Sequence, residues 1–281
     1  GRYQLKTGHR LGGAVMSAHE VILPVGWPAE ALPGRRLTLM VRRVWNVAHR
    51  GASEDAPENT LAAYELAIEQ GADVIEADVR QTSDGALLLL HDATVDRTTG
   101  GEGVLAEMTA TEARGLDAGG GERIPRLREL FEVARDRVRV NLDLKEIGAV
   151  APAVEAVHEA GMVDHVTFIS FLPEAWDLFD RLSPQSPVVH LVESAAGLAG
   201  IAMGEAGTQS VAAGVGIPSG LVSPELVDRM HRHGFGVFAW TVDDEDEMRR
   251  LVEADVNGVV TNRPGVFAEV LREARGSRGG G

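Results

Sequence analysis

The sequence contains no cysteine. That removes disulfides, thiolate metal sites and cysteine nucleophiles together, and it fits a cytoplasmic protein. Nowhere do apolar residues run for the roughly 18 positions that a membrane-crossing helix needs, so no integral membrane segment is expected. The first residues show no basic start followed by an apolar core and a small-residue cleavage site, the pattern of a signal peptide. Aromatic residues make up only 5% of the chain, and basic ones are outnumbered: 27 Lys and Arg against 42 Asp and Glu, a net charge of −15. Non-specific binding of nucleic acid draws on clustered Lys and Arg that displace counterions, so nucleic acid is not an expected partner. Anionic lipid surfaces are disfavoured on the same ground. A small anionic substrate is not, because one metal ion and one or two cations reverse the field locally.

The 281 residues are 44% hydrophobic and include 33 glycines. This is enough for one large domain, and an α/β barrel commonly uses about 250 residues with a turn at every strand–helix junction. Residues 1–39 carry prolines at 24, 28 and 33 that break regular elements, and are expected to form a poorly ordered extension, with Met40 an alternative start. No linker interrupts 40–275, which is read as one barrel domain, and 276–281 as a flexible tail. Strands are expected at 44–49, 73–79, 86–91, 138–144, 165–170, 188–192, 236–240 and 258–261. Helices are expected at 59–70, 109–116, 127–135, 151–160, 173–182, 224–234, 245–254 and 265–275. This alternation predicts a parallel sheet covered by helices. The Gly- and Ala-rich stretch 194–216 shows no readable pattern.

The most informative stretch runs from His49 to Asp92. Three polar clusters follow apolar runs there: His49-Arg50-Gly51, Glu76-Ala77-Asp78 and His91-Asp92. Short apolar runs bounded in this way read as buried strands, and the C-terminal strand ends of a parallel barrel share one face. Glu76 and Asp78 are two apart, so on a strand both side chains point to one side. Two carboxylates so placed repel each other unless a cation lies between them, and hard divalent ions such as Mg²⁺ and Ca²⁺ take such oxygen ligands. The alternative is an edge strand with two solvated acids. Ser83-Asp84-Gly85 is a tight-turn signal, so the second and third strands are expected to make a hairpin-like connection.

His49-Arg50-Gly51, Pro57-Glu58-Asn59-Thr60, Glu76-x-Asp78 and His91-Asp92, in this order and spacing, resemble the glycerophosphodiester phosphodiesterase family. The resemblance continues through Asp96-Arg97-Thr98-Thr99, Asn141-Leu142-Asp143-Leu144-Lys145, Ser170-Phe171, Trp240-Thr241-Val242 and Thr261-Asn262-Arg263-Pro264, to about residue 268. It implies a TIM-type (β/α)8 barrel with a small inserted subdomain at 93–125, over the mouth. It also implies metal-dependent hydrolysis of glycerophosphodiesters to glycerol 3-phosphate and an alcohol. His49 and His91 are then the acid–base pair. Glu76, Asp78 and Asp143 are the ligands of one divalent ion, Mg²⁺ or Ca²⁺, with Asp143 where the family usually has glutamate. Arg50 and Lys145 face the phosphate, Trp240 lines the pocket, and Glu58 fixes Arg50 or simply sits as a charge at a helix N-terminus. Water or the substrate's own glycerol hydroxyl is the nucleophile. Asn262 stands where the family often has aspartate, a change expected to be structural rather than catalytic. Alternative readings are a lysophospholipase D-type enzyme on larger lipids and a non-catalytic phosphate-binding barrel.

Overall fold

The structure is a computed structural model that describes residues 44–202 and 212–278. The expected extension over 1–39 and the end of the expected tail, 279–281, lie outside the described residues. The chain runs through β1 (Trp45–Ala48), α1 (Leu61–Glu69), β2 (Val74–Gln81), β3 (Leu87–Leu89), α2 (Ala110–Ala113) and α3 (Leu127–Ala134). It continues with β4 (Arg139–Leu144), α4 (Val150–Glu159), β5 (Val166–Ser170), α5 (Pro173–Leu182), β6 (Val188–Leu191) and α6 (Ala195–Ala202). The last elements are β7 (Gly214–Pro218), α7 (Pro224–Arg232), β8 (Gly236–Trp240), α8 (Glu245–Glu253), β9 (Gly258–Thr261) and α9 (Pro264–Arg278), which passes the expected end at Arg275. All strands but β3 pair in parallel around a closed ring, with β1 hydrogen-bonded to both β2 and β9. This is a TIM-type (β/α)8 barrel. No helix among the described residues is long and apolar enough to cross a membrane.

Alternation along each strand divides the core. On β2, Ile75, Ala77 and Val79 are buried in the apolar layer beneath the helices, as are Val140, Leu142 and Leu144 on β4. Burying a large apolar side chain of this kind contributes about 1.5–3 kcal/mol. The intervening residues, Glu76 and Asp78 on β2 and Asn141 and Asp143 on β4, therefore point the other way, into the barrel. Inside the barrel, Phe238 packs where its neighbours are glycines: a Cβ on Gly258 would lie 2.6 Å from its ring, and one on Gly214 3.2 Å. That explains why β7 has no readable pattern in the sequence. Its inward positions, Gly214 and Gly216, carry no side chain, and only Val215 and Ile217 face the helices.

The hairpin-like connection expected between the second and third strands is present, and it takes the third strand out of the parallel ring. The strand expected at 86–91 is not part of the barrel. β3 runs antiparallel to β2, with Val79 opposite Leu89 and Gln81 opposite Leu87. β2 overshoots the barrel rim, turns at Ser83-Asp84-Gly85, with Gly85 at φ +81°, and the chain comes back beside itself. The following segment packs its own small core from Leu88, Leu90, Val95, Leu105, Ala113, Ala118 and Ile124. Within it α2 is shorter than the expected 109–116, and is held by a capping box in which Thr109 and Glu112 satisfy each other's backbone N–H.

Candidate active site

Strand register assembles the site. On β2 and β4, Glu76 is level with Asn141 and Asp78 with Asp143. Because both strands alternate in phase, Glu76, Asp78 and Asp143 converge inside the barrel, with ligand oxygens within 4.8 Å of one another. All three are buried. On the other side of β2, Ala48 pairs with Ile75 and, across β1, with Thr261. That places His49-Arg50 beside Glu76 and His49 beside Asn262. The Arg50 backbone N–H donates to Glu76 Oε2 at 2.9 Å. Arg50 has a positive φ of 58°, and Gly51 follows at φ +85°, where a Cβ would lie 2.6 Å from the Ala63 backbone carbon. Glycine is required there, and the strained Arg50 is held by what surrounds it.

The electrostatics favour a cation among the three acids. Burial, then repulsion from Asp78 and Asp143, raises the Glu76 carboxyl well above its ordinary range. Burial raises Asp143 to about 6, more than Lys145 lowers it. Asp78 goes the other way, to about 2, because Lys145 and Arg50 together outweigh its burial. Lys145 Nζ lies 2.8 Å from Asp78 Oδ1 and 2.5 Å from Asp143 Oδ2, and Arg50 Nε 3.1 Å from Asp78 Oδ2. Asp143 Oδ1 is buried and accepts no hydrogen bond, an oxygen still available to a ligand. Buried, closely grouped carboxylate oxygens are what a hard divalent ion requires, so the residues fit the expected metal. Glu146 turns away, accepting from the Gln81 backbone N–H at 2.7 Å.

Each of the two histidines is gripped at Nδ1. His49 Nδ1 lies 2.7 Å from Asn262 Oδ1. Burial and the adjacent Arg50 lower its pKa, against the hydrogen bond to Asn262. His91 Nδ1 lies 2.7 Å from Asp92 Oδ1. The hairpin delivers His91 to the site, since the Leu90 N–H donates to the Asp78 carbonyl at 3.0 Å. Arg97 then ties the inserted segment to the barrel: it donates to Asp92 at 2.6 Å and, with both terminal nitrogens, to Glu58 at 2.6 and 2.8 Å. Glu58 accepts in turn from Arg50 at 2.8 Å. Hydrogen bonds from Arg97 keep Asp92 below the usual carboxylate range. Trp240 ends β8 on the same barrel face, edge-on to Phe171 with ring centroids 5.5 Å apart.

Several contacts have no counterpart in the sequence reading. Asn59, at φ +56°, donates to Asp78 at 2.8 Å and accepts from Tyr64 Oη and from the Asp78 N–H. Asp92 and Arg97 belong to the motifs that carry the family resemblance, but nothing local in the sequence shows what they bind. Asn262, expected to be a structural change, has its amide oxygen 2.7 Å from His49 Nδ1. The signal for Asn262 was the β1–β9 closure, which sequence spacing does not reveal.

Residues 49–266 match the model of the glycerophosphoryl diester phosphodiesterase family. A protein from Caldanaerobacter subterraneus subsp. tengcongensis, named glycerophosphodiester phosphodiesterase, is 35% identical over 240 residues, spanning 81% of this chain and 97% of that protein. The crystal structure of a glycerophosphodiester phosphodiesterase from Agrobacterium tumefaciens is similar at TM-score 0.69 and 32% identity, covering 79% of this chain and 98% of that one. A phosphodiesterase from Oleispira antarctica, solved with its product sn-glycerol-3-phosphate, is similar at TM-score 0.71 and 29% identity, covering 82% and 96%.

Proposed function

The chain belongs to the glycerophosphoryl diester phosphodiesterase family, and from that premise we propose that it hydrolyses glycerophosphodiesters to glycerol 3-phosphate and an alcohol, aided by one divalent cation. The observation that carries this reading is the convergence of three buried carboxylates, two cations and two Nδ1-anchored histidines on one barrel face. Glu76, Asp78 and Asp143 hold the ion, Mg²⁺ or Ca²⁺. Bound there, such an ion stabilises negative charge on the phosphoryl oxygens.

The protein's own groups do the rest. Arg50 offers a planar fork to the phosphate and Lys145 a point charge. Glu58 holds Arg50 in place, and Trp240 with Phe171 walls the space beside it. His49 is kept neutral by burial and by Arg50, so it suits removal of the proton from the attacking hydroxyl, whether of water or of the substrate's glycerol. His91, paired with the ionised Asp92, suits delivery of a proton to the departing alkoxide as the P–O bond breaks. The inserted segment stands over the mouth and shapes access for the alcohol portion.

The test is release of glycerol 3-phosphate from glycerophosphocholine with Mg²⁺, with Ca²⁺ and with chelator. Release that chelator abolishes supports both the reaction and the ion. Release from lysophosphatidylcholine alone moves the assignment to a lysophospholipase D-type enzyme. No release from either, by folded protein, leaves a phosphate-binding barrel.

A further inference from the structure

Asp243 follows β8 and faces the β9 end. Its carboxylate accepts three hydrogen bonds: from Thr261 Oγ1 at 3.0 Å, from the Asn262 backbone N–H at 2.8 Å and from Asn262 Nδ2 at 2.6 Å. A carboxylate can only accept, so the amide NH₂ of Asn262 must face it. The reversed amide would put two acceptors 2.6 Å apart. The Asn262 carbonyl Oδ1 is therefore turned to His49 Nδ1 at 2.7 Å and to Ser53 Oγ at 2.8 Å. An amide oxygen also only accepts, so the nitrogen facing it must carry the hydrogen.

We propose that Asp243 and Asn262 form a positioning relay that fixes His49 in one tautomer, with its proton on Nδ1 and Nε2 bare toward the substrate. The inference rests on the acid–base reading of His49 and extends it to two residues that touch no substrate. Asp243 acts through Asn262, and Asn262 through His49. The amide passes on orientation without placing a negative charge against the imidazole. The Ser53 hydroxyl, just past β1 on the same barrel face, lies 2.8 Å from that amide oxygen and 2.7 Å from the His49 carbonyl, and its one proton serves one of these two acceptors at a time.

The deciding measurement is ¹⁵N NMR of the histidine-labelled full chain with Mg²⁺, the His49 signals being those lost in His49→Ala. The expected wild-type pattern is a protonated Nδ1 and a bare Nε2. In Asp243→Asn the Asn262 amide is free to reverse, so His49 shifts toward the Nε2–H form and kcat on glycerophosphocholine falls at least about tenfold with KM little changed, within the range that acid–base groups contribute. The double swap Asp243→Asn with Asn262→Asp rebuilds an amide-to-carboxylate-to-imidazole chain in reversed order. It is expected to restore Nδ1–H and recover kcat to within about threefold, a coupling that independent sites would not show. A wild-type His49 with its proton on Nε2 overturns the proposal, whatever the activity. So does an Asp243→Asn variant that keeps both tautomer and kcat, or a folded double variant no better than the singles. A chain that releases no glycerol 3-phosphate refutes the phosphodiesterase reading instead, and the NMR pattern still decides the relay.

Discussion

Lys145 Nζ stands 2.8 Å from Asp78 Oδ1, which puts a fixed positive charge inside the carboxylate cluster proposed to hold a divalent ion. Lysine and such an ion would thus draw on the same carboxylates. In Lys145→Met the metal-free protein should lose stability, because buried carboxylates are left without their partner, a change that typically costs about 3–5 kcal/mol. The rise in Tm on adding Mg²⁺ or Ca²⁺ should become larger than in wild type, while kcat/KM falls. Thermal melts with and without metal, beside turnover, check both halves. A smaller metal-induced rise would contradict the shared-carboxylate account.

The raised acids set a pH dependence with opposite signs in the two states. Asp143, raised by burial to about 6, binds a proton in the folded state between its ordinary pKa and that value, while the unfolded chain does not. The metal-free protein therefore gains stability from this group as pH falls from 7 toward 5. Glu76, also raised by burial, acts in the same direction. Asp78, lowered to about 2, contributes stability that is lost only at pH below this window. A bound divalent ion needs the carboxylates ionised, so its contribution should shrink over the same fall. Melting curves at pH 5 and 7 with chelator and with metal should show the crossover in wild type. Asp143→Asn should remove its share, which separates it from the opposing effects of His49 and His190, both lowered by burial.

Alanine at either histidine should lower kcat by about 10²–10⁴-fold, the usual contribution of a general acid or base. Neither ring belongs to the main apolar core, so Tm should move by only a few degrees. Steady-state kinetics on glycerophosphocholine, with melts as control, would refute the acid–base assignment if both variants kept wild-type turnover.

Arg97 joins Asp92 to Glu58 while its own side chain is 48% exposed. Solvent screening makes its ion pairs weak contributors to stability. Its effect should appear in catalysis: Arg97→Ala frees both Asp92 and Glu58, hence the partners of His91 and Arg50. A loss of roughly 10–100-fold in kcat/KM is expected, as for other outer partners of site residues, with Tm nearly unchanged. A large fall in Tm with intact turnover would instead make Arg97 a structural strut.

Much of the barrel was legible because its strands are apolar on the helix side and its helices carry their own stops, such as Gly71 after α1, although the helix start expected at Asn59 overran the Thr60 cap. The hairpin turn at Ser83-Asp84-Gly85 was legible for the same local reason. β7 was not, because glycines take the place of the inward side chains that would have completed its alternation. Glu76 and Asp78 could be paired from period two alone. Their meeting with Asp143 depended on the register of β2 against β4, which no local pattern encodes, and entered the reading only through family resemblance. The contact of Asn262 with His49 was not legible, because the two lie more than two hundred positions apart, across the seam where the ring closes.

The two histidines proposed as the acid–base pair are mounted on different supports. His49 extends from β1 at the hydrogen-bonded seam of the ring, whereas His91 is carried by a returning arm that leans on a satellite core and on one arginine clasp. The gap between the two imidazoles is consequently a dimension the ring's circumference does not set. Under the acid–base reading, changes in the arm would alter that gap while the seam and the carboxylate cluster stay as they are.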